Sequence, residues 1–490
     1  MDKWLAGLRI GNSFADLPEA FYSRVSPMPP GAPRLLHANP DVARLLGLDE
    51  DVLQSADFLA LCAGQIPLPG GQTIATVYSG HQFGVWAGQL GDGRAHLLGE
   101  IQGPTGAWEI QLKGSGRTPY ARMGDGRAVL RSSVREYLAS EAMAGLGIPT
   151  TRALALVVSD DPVYRETVET AAVVTRVSPS FLRFGHFEHW GHTHARQKAL
   201  LDHAVDRFFP ECRQAGEGPD DTPAITLAFL REVVRRTAVL IAHWQLAGFC
   251  HGVMNTDNMS ILGLTLDYGP YGFMDRFNAR HICNHTDTGG RYAWNAQPAV
   301  AHWNLYRLAG SLMVLGCDGE SLQDCIKPFE AEFLGAFHQG LARKFGLRDW
   351  REGDGELADA WWSLLHEQSA DFTLAFRHLA DADEAPEAFL ALFADPAAAQ
   401  AWLERYRARL AAQDWDALAR RADMRRANPL YVLRNHLAQR AIEAAQHGDA
   451  SEIDRLLSLL RDPYTERPGM ADYAAPPPTG APAVAVSCSS

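Results

Sequence analysis

The chain has 490 residues, of which 47% are hydrophobic and 21% are charged, a composition typical of a soluble globular protein. Its net charge of −13 argues against general nucleic-acid binding, because contact with the phosphate backbone requires an excess of cationic side chains. No apolar run approaches the roughly 20 residues of a membrane-spanning helix, and the N-terminus lacks the apolar core of a signal peptide. The seven cysteines include no CxxC pair, which is typical of reduced thiols. We therefore expect a cytoplasmic protein with neither a membrane nor a nucleic-acid partner.

The first part of the chain is predicted to be rich in strands. Residues 1–72 are punctuated by prolines and contain one short predicted helix at 40–46. From residue 73 to 112, apolar and β-prone runs alternate with glycine, which predicts a sheet built from hairpins. The apolar spacing of residues 127–148 predicts a helix, and two further strand-like runs follow it within 151–178.

The remainder is predicted to be mostly helical. Thr222 opens a strongly amphipathic run that ends at Gly248, as expected for a helix with a glycine stop. Helical patterns dominate again from about residue 300 to 462. The last residues form a Pro/Ala-rich tail whose composition is too poor in apolar periodicity to pack alone.

A segment at 251–269, HGVMNTDNMSILGLTLDYG, has the spacing of a protein-kinase catalytic centre. Kinases carry an HRD-x4-N loop followed by DFG, in which the Asn and the second Asp hold metal ions. Here Asn258 and Asp267 stand at those two positions and offer the hard oxygen atoms that Mg²⁺ or Mn²⁺ binds. The position of the kinase base is Val253, which cannot accept a proton. The nearest carboxylate is Asp257, so the chemistry need not be transfer of the γ-phosphate.

Ordinary turns offer an alternative interpretation of these polar residues, because Asn and Asp are common in loops. The run MSILGLTL between Asn258 and Asp267 predicts a short hairpin that would bring the two side chains together. Asp257, if it binds no metal, would be ionised near neutral pH at its usual pKa of about 4. It could then accept a proton from a hydroxyl group.

Three upstream features would complete a nucleotide site. The glycine-rich run at 88–94, GQLGDGR, would let backbone N–H groups approach phosphates, although a hairpin turn also uses Asp-Gly. Lys113 ends a predicted strand, as the phosphate-binding lysine of kinases does. Glu136 lies on the next predicted helix, where an ion pair would hold Lys113 toward the phosphates. Either residue alone could equally be an ordinary solvated side chain.

This order of elements predicts an α+β fold of the protein-kinase-like, bilobal kind. A β-rich N-lobe would occupy residues 73–185, and a larger helical C-lobe would occupy 186–465. Residues 1–72 would form an N-terminal extension, and 466–490 would form the Pro/Ala-rich tail.

The chain also closely resembles a known family over about residues 5 to 490: the selenoprotein O family, a protein adenylyltransferase group of pseudokinases. The resemblance lies in long segments, and it extends to a cysteine two residues from the C-terminus. These segments are YSGHQFGVWAGQLGDGRA, QLKGSGRTPYARMGDGRAVLRSSVREYLASEAM, HGVMNTDNMSILGLTLDYGP and NPLYVLRNHLAQ.

The resemblance implies that ATP binds in an orientation reversed from that in kinases and that AMP is transferred to protein hydroxyl groups. Some members of the family have also been associated with UMP transfer from UTP. The family's metal ligands fall on Asn258 and Asp267, and its proton acceptor falls on Asp257. Its nucleotide contacts fall on Gly91, Gly93, Arg94, Lys113, Asp125, Gly126, Arg176, Arg183 and Asp267.

Two of these implied contacts have a second interpretation. Arg176 and Arg183 could clamp phosphates through bidentate hydrogen bonds, but two arginines this close in sequence are also typical of surface salt bridges. If the β- and γ-phosphates were buried among the cations, the α-phosphate would face the acceptor, and pyrophosphate would leave.

The resemblance further implies a redox role for Cys488, which stands where some family members have selenocysteine. Its expected partner is Cys283, in the segment that follows Asp-Tyr-Gly. A disulfide between them would hold the tail over the site. Two free thiols are the alternative.

Three classes of function therefore compete. The first is transfer of AMP or another nucleotidyl group to Ser, Thr or Tyr side chains of protein substrates. The second is ATP-dependent phosphotransfer, which Val253 disfavours although a relocated Asp257 does not exclude it. The third is a catalytically silent nucleotide-binding scaffold, in which substitutions at Asp257 and Asp267 would be tolerated.

Overall fold

The computed structural model describes residues 3–218 and 221–480, together with 484 and 486. The chain has the predicted α+β character, and its largest feature is an antiparallel sheet of ten strands. The strands are β1 (Ile10–Gly11), β2 (Tyr22–Arg24), β3 (Arg34–Ala38), β4 (Ile74–Gln82), β5 (Val85–Gly91), β6 (Ala95–Gly103), β7 (Gly106–Lys113), β8 (Ala128–Val129), β9 (Arg152–Tyr164) and β10 (Val168–Ser178). Two further short strands, β11 (Phe249–Cys250) and β12 (Gly272–Phe273), pair with each other.

The main path through the sheet runs β2-β4-β6-β7-β10-β9-β3, with β1 on β6, β5 on β4 and β8 on β10. Strands β1 to β3 come from the proline-punctuated first 72 residues, which therefore extend the same sheet. β2 adds to β4, and β3 adds to β9. These strands have only two to five residues each. Such runs are too short to show the alternating pattern from which a strand is predicted.

Helices make up most of the chain after the sheet. They are α1 (Lys3–Ala6), α2 (Pro40–Leu45), α3 (Ala56–Cys62), α4 (Leu130–Gly145), α5 (Phe184–Trp190), α6 (His194–Phe208), α7 (Thr222–Ala247), α8 (Gln297–Leu312), α9 (Gly319–Ile326), α10 (Phe329–Phe345), α11 (Asp354–Glu367), α12 (Phe372–Leu379), α13 (Glu387–Leu390), α14 (Pro396–Ala411), α15 (Ala417–Ala427), α16 (Asn435–Gln446), α17 (Ser451–Leu460) and α18 (Ala471–Ala474). Among the described residues, no helix is both long enough and apolar enough to span a membrane.

Local sequence explains the ends of the longest helix. The side chain of Asp221 accepts a hydrogen bond from the Ala224 amide, and proline occupies the first turn of α7. Gly248 ends the helix with a left-handed φ of 66°, a conformation that favours glycine. The predicted helix at 127–148 corresponds to α4, but its first residues instead form β8, which pairs with β10.

The prediction of a hairpin over the run MSILGLTL is wrong. Met259 and Thr265 make only a single antiparallel bridge. The reason is a competing partner: both the amide and the hydroxyl of Thr265 donate to the carbonyl of Pro149, at 2.9 and 3.0 Å. The segment is thereby tied to the loop after α4 and does not complete a two-stranded hairpin.

One hydrophobic core joins the beginning and the end of the chain. It contains Phe14 near the N-terminus, the inner face of α4, much of α7 and α8, and Tyr473. Helices α16 and α17 pack directly on α4. A polar contact reinforces the junction, since the imidazole of His37 lies 2.8 Å from the carboxylate of Asp454 on α17. The helices α10 to α15 contribute to a second core of their own.

Candidate active site

A cavity of about 760 Å³ opens between the sheet and the loop that follows β11. Its wall includes every residue that the sequence predicts as a nucleotide contact, metal ligand or proton acceptor. These are Gly91, Gly93, Arg94, Lys113, Asp125, Gly126, Arg176, Arg183, Asp257, Asn258 and Asp267. The fold thus brings together residues that are spread over 177 positions of the sequence.

Lys113 and Glu136 form a buried ion pair behind this wall. The Lys113 ammonium lies 2.7 Å from the carboxylate of Glu136, which α4 carries toward the end of β7. Arg176 lies 3.2 Å from the same carboxylate. Burial lowers the pKa of Lys113, although the charges of Glu136 and Asp267 oppose that effect. The ammonium is therefore fixed at the cavity wall by a carboxylate that does not itself line the cavity.

Asp267 stands at the centre of a cluster of cations. Its two carboxylate oxygens accept hydrogen bonds from Arg176 and Arg183, and the Lys113 ammonium is 3.5 Å away. Burial alone would favour the protonated acid, but the charges of these three groups outweigh it and hold the pKa of Asp267 well below its usual range. Asp267 also has a φ of 54°, a left-handed conformation that is uncommon for a residue with a Cβ atom and is found preferentially at functional sites.

Both arginines are buried, which argues against the interpretation of surface salt bridges. Arg176 is 3% exposed and Arg183 is 1% exposed. Arg183 also donates a hydrogen bond of 2.8 Å to the carbonyl of Asp257 and lies over the ring of Tyr78. Arg94 lines the same cavity, and within the described part of the chain it has no ion-pair partner. The cavity wall is consequently suited to an anion with several negative charges.

The glycines of the run GQLGDGR are needed for close packing as well as for access. A Cβ atom on Gly91, whose φ is 152°, would lie 2.5 Å from the ring of Tyr120. Tyr120 belongs to the loop that carries Asp125 and Gly126 into the cavity wall. Asp125 itself is held at the rim by Arg165, at 2.7 Å.

Asp257 occupies a short 3-10 turn, Thr256–Asn258. Only 8% of the residue is exposed, and its Oδ1 atom has no hydrogen-bond partner among the described residues. Its Oδ2 atom lies 3.4 Å from the amide nitrogen of Gln82. Burial raises the pKa of Asp257 to about 6, with Arg183 acting in the opposite direction. The carboxylate is therefore mainly ionised at neutral pH yet basic enough to accept a proton.

Asn258 and Asp267 both line the cavity and can supply oxygen donors to it. The side-chain amide of Asn258 donates to the carbonyl of Val253 at 2.9 Å, which leaves its oxygen available. Within the described residues, no three or more His, Cys, Asp or Glu side chains are grouped so that they could hold a metal ion by themselves. The donor set suits a Mg²⁺ or Mn²⁺ ion that takes its remaining ligands from phosphate and water.

Some residues of the site were missed by sequence reasoning. Asn255 accepts hydrogen bonds from the Tyr292 hydroxyl at 2.6 Å and from the Phe83 amide at 3.2 Å, and so ties the loop that carries Asp257 to the β4–β5 hairpin. Asp92 is buried in the cavity wall and accepts from the amide and hydroxyl of Thr76. Asn255 lies only two residues before Asp257, but nothing in its sequence context indicates distant partners.

Of the predicted cysteine pair, only Cys283 lies within the described residues. The Cys283 thiol lies 2.8 Å from the carbonyl of Pro270 and forms no disulfide with another described cysteine. Val486 of the tail pairs with Asn284, the neighbour of Cys283. Cys488 lies outside the described residues, so the disulfide stays a prediction.

Comparison with known proteins assigns the chain to a family. Residues 5–461 match the profile of the family described as Protein adenylyltransferase SelO. A Bordetella petrii protein named Protein nucleotidyltransferase YdiU is 64% identical over 493 residues, covering 99% of each chain. Proteins of the same name from Ralstonia nicotianae and Dechloromonas aromatica are each 51% identical, and they cover 97% and 98% of this chain and 95% and 97% of their own length. The chain therefore belongs to the SelO family of protein adenylyltransferases, and it is a nucleotidyltransferase that acts on proteins.

Proposed function

We propose that the enzyme transfers AMP from ATP, or UMP from UTP, to the hydroxyl groups of Ser, Thr or Tyr side chains and releases pyrophosphate. The observation that carries this proposal is the pairing of one buried basic carboxylate, Asp257, with a wall of buried cations in the same cavity. Asp257 supports proton removal from an acceptor hydroxyl. The cations Lys113, Arg176 and Arg183 suit the charge that develops on a pyrophosphate leaving group.

In the proposed reaction the acceptor oxygen forms a bond to the α-phosphorus while the bond from that phosphorus to the bridging oxygen of the β-phosphate breaks. Asp257 accepts the hydroxyl proton as the attack proceeds. Asn258 and Asp267 would hold Mg²⁺ or Mn²⁺, which would neutralise phosphate charge. Phosphates that enter the cavity would take over the hydrogen bonds that Arg176 and Arg183 now give to Asp267.

We further propose that the sheet and the helices correspond to the two lobes of a kinase-like fold and that the protein is a cytoplasmic pseudokinase. Phosphotransfer is the second candidate, and Val253, which lines the cavity where kinases place their base, disfavours it. A silent scaffold is the third. The left-handed backbone of Asp267 disfavours that candidate, because a strained conformation at a binding site is usually retained for a function.

The proposal is tested by incubating the protein with ATP labelled at either the α- or the γ-phosphate, in the presence of Mg²⁺ or Mn²⁺. Incorporation of label is followed for the wild type, Asp257→Asn and Asp267→Ala. Asp359→Asn, on the exposed face of α11, is the matched control. Label from the α-phosphate alone, lost in the first two variants and retained in the control, is expected. Label from the γ-phosphate would contradict the proposal in favour of a kinase, and no label under reducing conditions would favour a scaffold.

We also propose that Cys283 and Cys488 form a disulfide that controls access to the site, by thiol–disulfide exchange with an oxidised partner. The position of Val486 beside Asn284 supports it, since it brings the tail next to Cys283. Titration of free thiols before and after reduction should differ by two per chain. An unchanged thiol count would contradict the proposal.

A further inference from the structure

The hairpin of β4 and β5 exposes, at and beside its turn, apolar side chains that the proposed chemistry does not use. Phe83 is 37% exposed, Val85 is 70% exposed and Trp86 is 50% exposed. Three such residues within four positions form an apolar patch, and exposed apolar patches on soluble proteins mark sites of interaction. Tryptophan is also among the residues that contribute most to binding at protein interfaces.

This hairpin lies between the nucleotide cavity and a second cavity. Gln82 and Phe83 line the nucleotide cavity, whereas His81 and Trp86 line a neighbouring cavity of about 310 Å³. The backbone amide of Phe83 is anchored to the catalytic loop through Asn255, at 3.2 Å. A chain segment that crosses the hairpin would therefore pass from the second cavity to the first, which Asp257 also lines.

The second cavity has a positive edge. The guanidinium groups of Arg291 and Arg307 lie 4.9 and 5.1 Å from the ring centre of Trp303. Of the two, only Arg307 lines the cavity, whereas Arg291 is hydrogen-bonded to the side chain of Tyr292. The one carboxylate of the lining, Glu188, is buried and already bound to His81. The exposed guanidinium of Arg307 feels the charge of the buried Glu188 and is the cation of this lining that is complementary to an acidic ligand.

A hydrogen-bonded ring connects this surface to the catalytic turn. Glu188 accepts hydrogen bonds from the Thr256 hydroxyl and from the imidazole of His81, the latter at 2.7 Å. Thr256 in turn accepts from the backbone amide of His81 at 2.8 Å. Asp257 follows Thr256 directly, so contacts made on the His81 side of the hairpin act on the segment that positions the proton acceptor.

We propose that Phe83, Val85, Trp86, Trp303 and Arg307 form the docking surface for the acceptor polypeptide. The occupant is an extended segment with an aromatic and an acidic residue close to the hydroxyl residue that is modified. The aromatic side chain packs against Trp86, and the acidic side chain pairs with Arg307. This inference rests on the proposed function, since it names the substrate class of the same site.

Peptide binding tests the docking surface independently of catalysis. Two short fluorescent peptides with a central tyrosine are compared by fluorescence anisotropy in the absence of nucleotide: one flanked by Phe, Asp and Glu, the other by Gly and Lys. The variants are Trp86→Ala and Arg307→Glu. Their matched controls are Leu418→Ser, at an apolar position that is 73% exposed, and Arg405→Glu, at an exposed cation on α14. Light scattering of each protein reports its oligomeric state.

We expect the acidic aromatic peptide to bind better, with each docking variant weakening its binding by about tenfold, as truncation of an interface anchor does. The controls should bind as the wild type does. Equal binding of the two peptides, or equal binding by variants and controls, would overturn the docking surface. A dimer that dissociates in Trp86→Ala would overturn it too, because a second copy would then occupy the surface. Transfer of α-label to the same peptides is scored separately: its absence with intact peptide binding would refute the proposed reaction and leave the docking surface standing.

Discussion

Replacing Asp257 by asparagine should stabilise the folded protein at neutral pH while it strongly lowers the rate of transfer. The wild-type carboxylate is buried with an unpartnered Oδ1 atom, and burial raises its pKa from 3.8 to about 6. Below about pH 4 the carboxyl is protonated in both the folded and the unfolded state, so it then favours neither. Between about pH 4 and pH 6 the carboxyl ionises in the unfolded state while it stays largely protonated in the folded state. The free energy of unfolding therefore falls over this range.

The size of this effect follows from the difference between the two pKa values. About two pKa units correspond to about 3 kcal/mol at pH 7.5, at 1.36 kcal/mol per unit. With an unfolding entropy of roughly 2.1 cal/mol/K per residue over 490 residues, that free energy corresponds to about 3 °C in Tm. Asparagine keeps the shape of the side chain without the charge, so the variant should unfold at the higher temperature.

The assay is thermal unfolding of the wild type and of Asp257→Asn between pH 4 and pH 8, with Asp359→Asn as the control. The Tm difference should be close to zero at pH 4 and should grow through pH 6. The same ionisation sets the acid limb of the pH–rate profile, which should fall below about pH 6. Transfer by the variant should be lower by about a hundredfold or more, the usual contribution of a general base. A Tm difference independent of pH, or a variant less stable at pH 8, would refute the reasoning about the buried charge.

Three further variants test the rest of the site. Glu136→Gln removes the nearer of the two carboxylates beside the buried Lys113 ammonium, and the one that Arg176 also contacts. It should destabilise the protein by about 3 kcal/mol in urea unfolding, and an unchanged midpoint would show that the pair is not structural. Asp267→Asn removes the negative charge that the cations of the cavity now bind. ATP should therefore bind about tenfold more tightly, as measured by equilibrium dialysis with EDTA, while transfer is lost. Weaker binding of ATP would contradict this account. Thr256→Val removes the hydroxyl bound to Glu188 and should lower kcat by roughly tenfold with an unchanged Kd for ATP. A change in Kd alone would mean that Thr256 acts on nucleotide binding and not on the position of Asp257.

The sequence predicted those parts of the site that depend on spacing along the chain. Lys113 ends a predicted strand and Glu136 lies on the next predicted helix, so their order alone suggests that a lysine and a carboxylate meet. The cluster around Asp267 was not predictable in this way, because it depends on Arg176 and Arg183 reaching it from β10 and from the start of α5. Sequence reasoning alone would have assigned these arginines to the surface.

The same limit applies to the fold. Long amphipathic runs such as the one that forms α7 show a helical periodicity in the sequence itself. The short strands β1 to β3 form instead because they pair with β6, β4 and β9. The hairpin predicted before Asp267 does not form, because Thr265 donates a hydrogen bond to the carbonyl of Pro149, more than a hundred residues earlier in the chain. Contacts of this kind are set by tertiary packing, which overrides local propensity.

The junction between α4 and the C-terminal helices has a consequence for synthesis of the chain. The helix that holds Glu136 also packs on β9 and β10, but it leaves the ribosome about three hundred residues before α16 and α17, which cover one face of it. At roughly 5–20 residues per second, that face stays uncovered for tens of seconds. During this interval the partly synthesised chain exposes aggregation-prone apolar surface, which is the condition in which chaperones are needed. A truncation before residue 451 should therefore reduce soluble yield far more than its short length suggests.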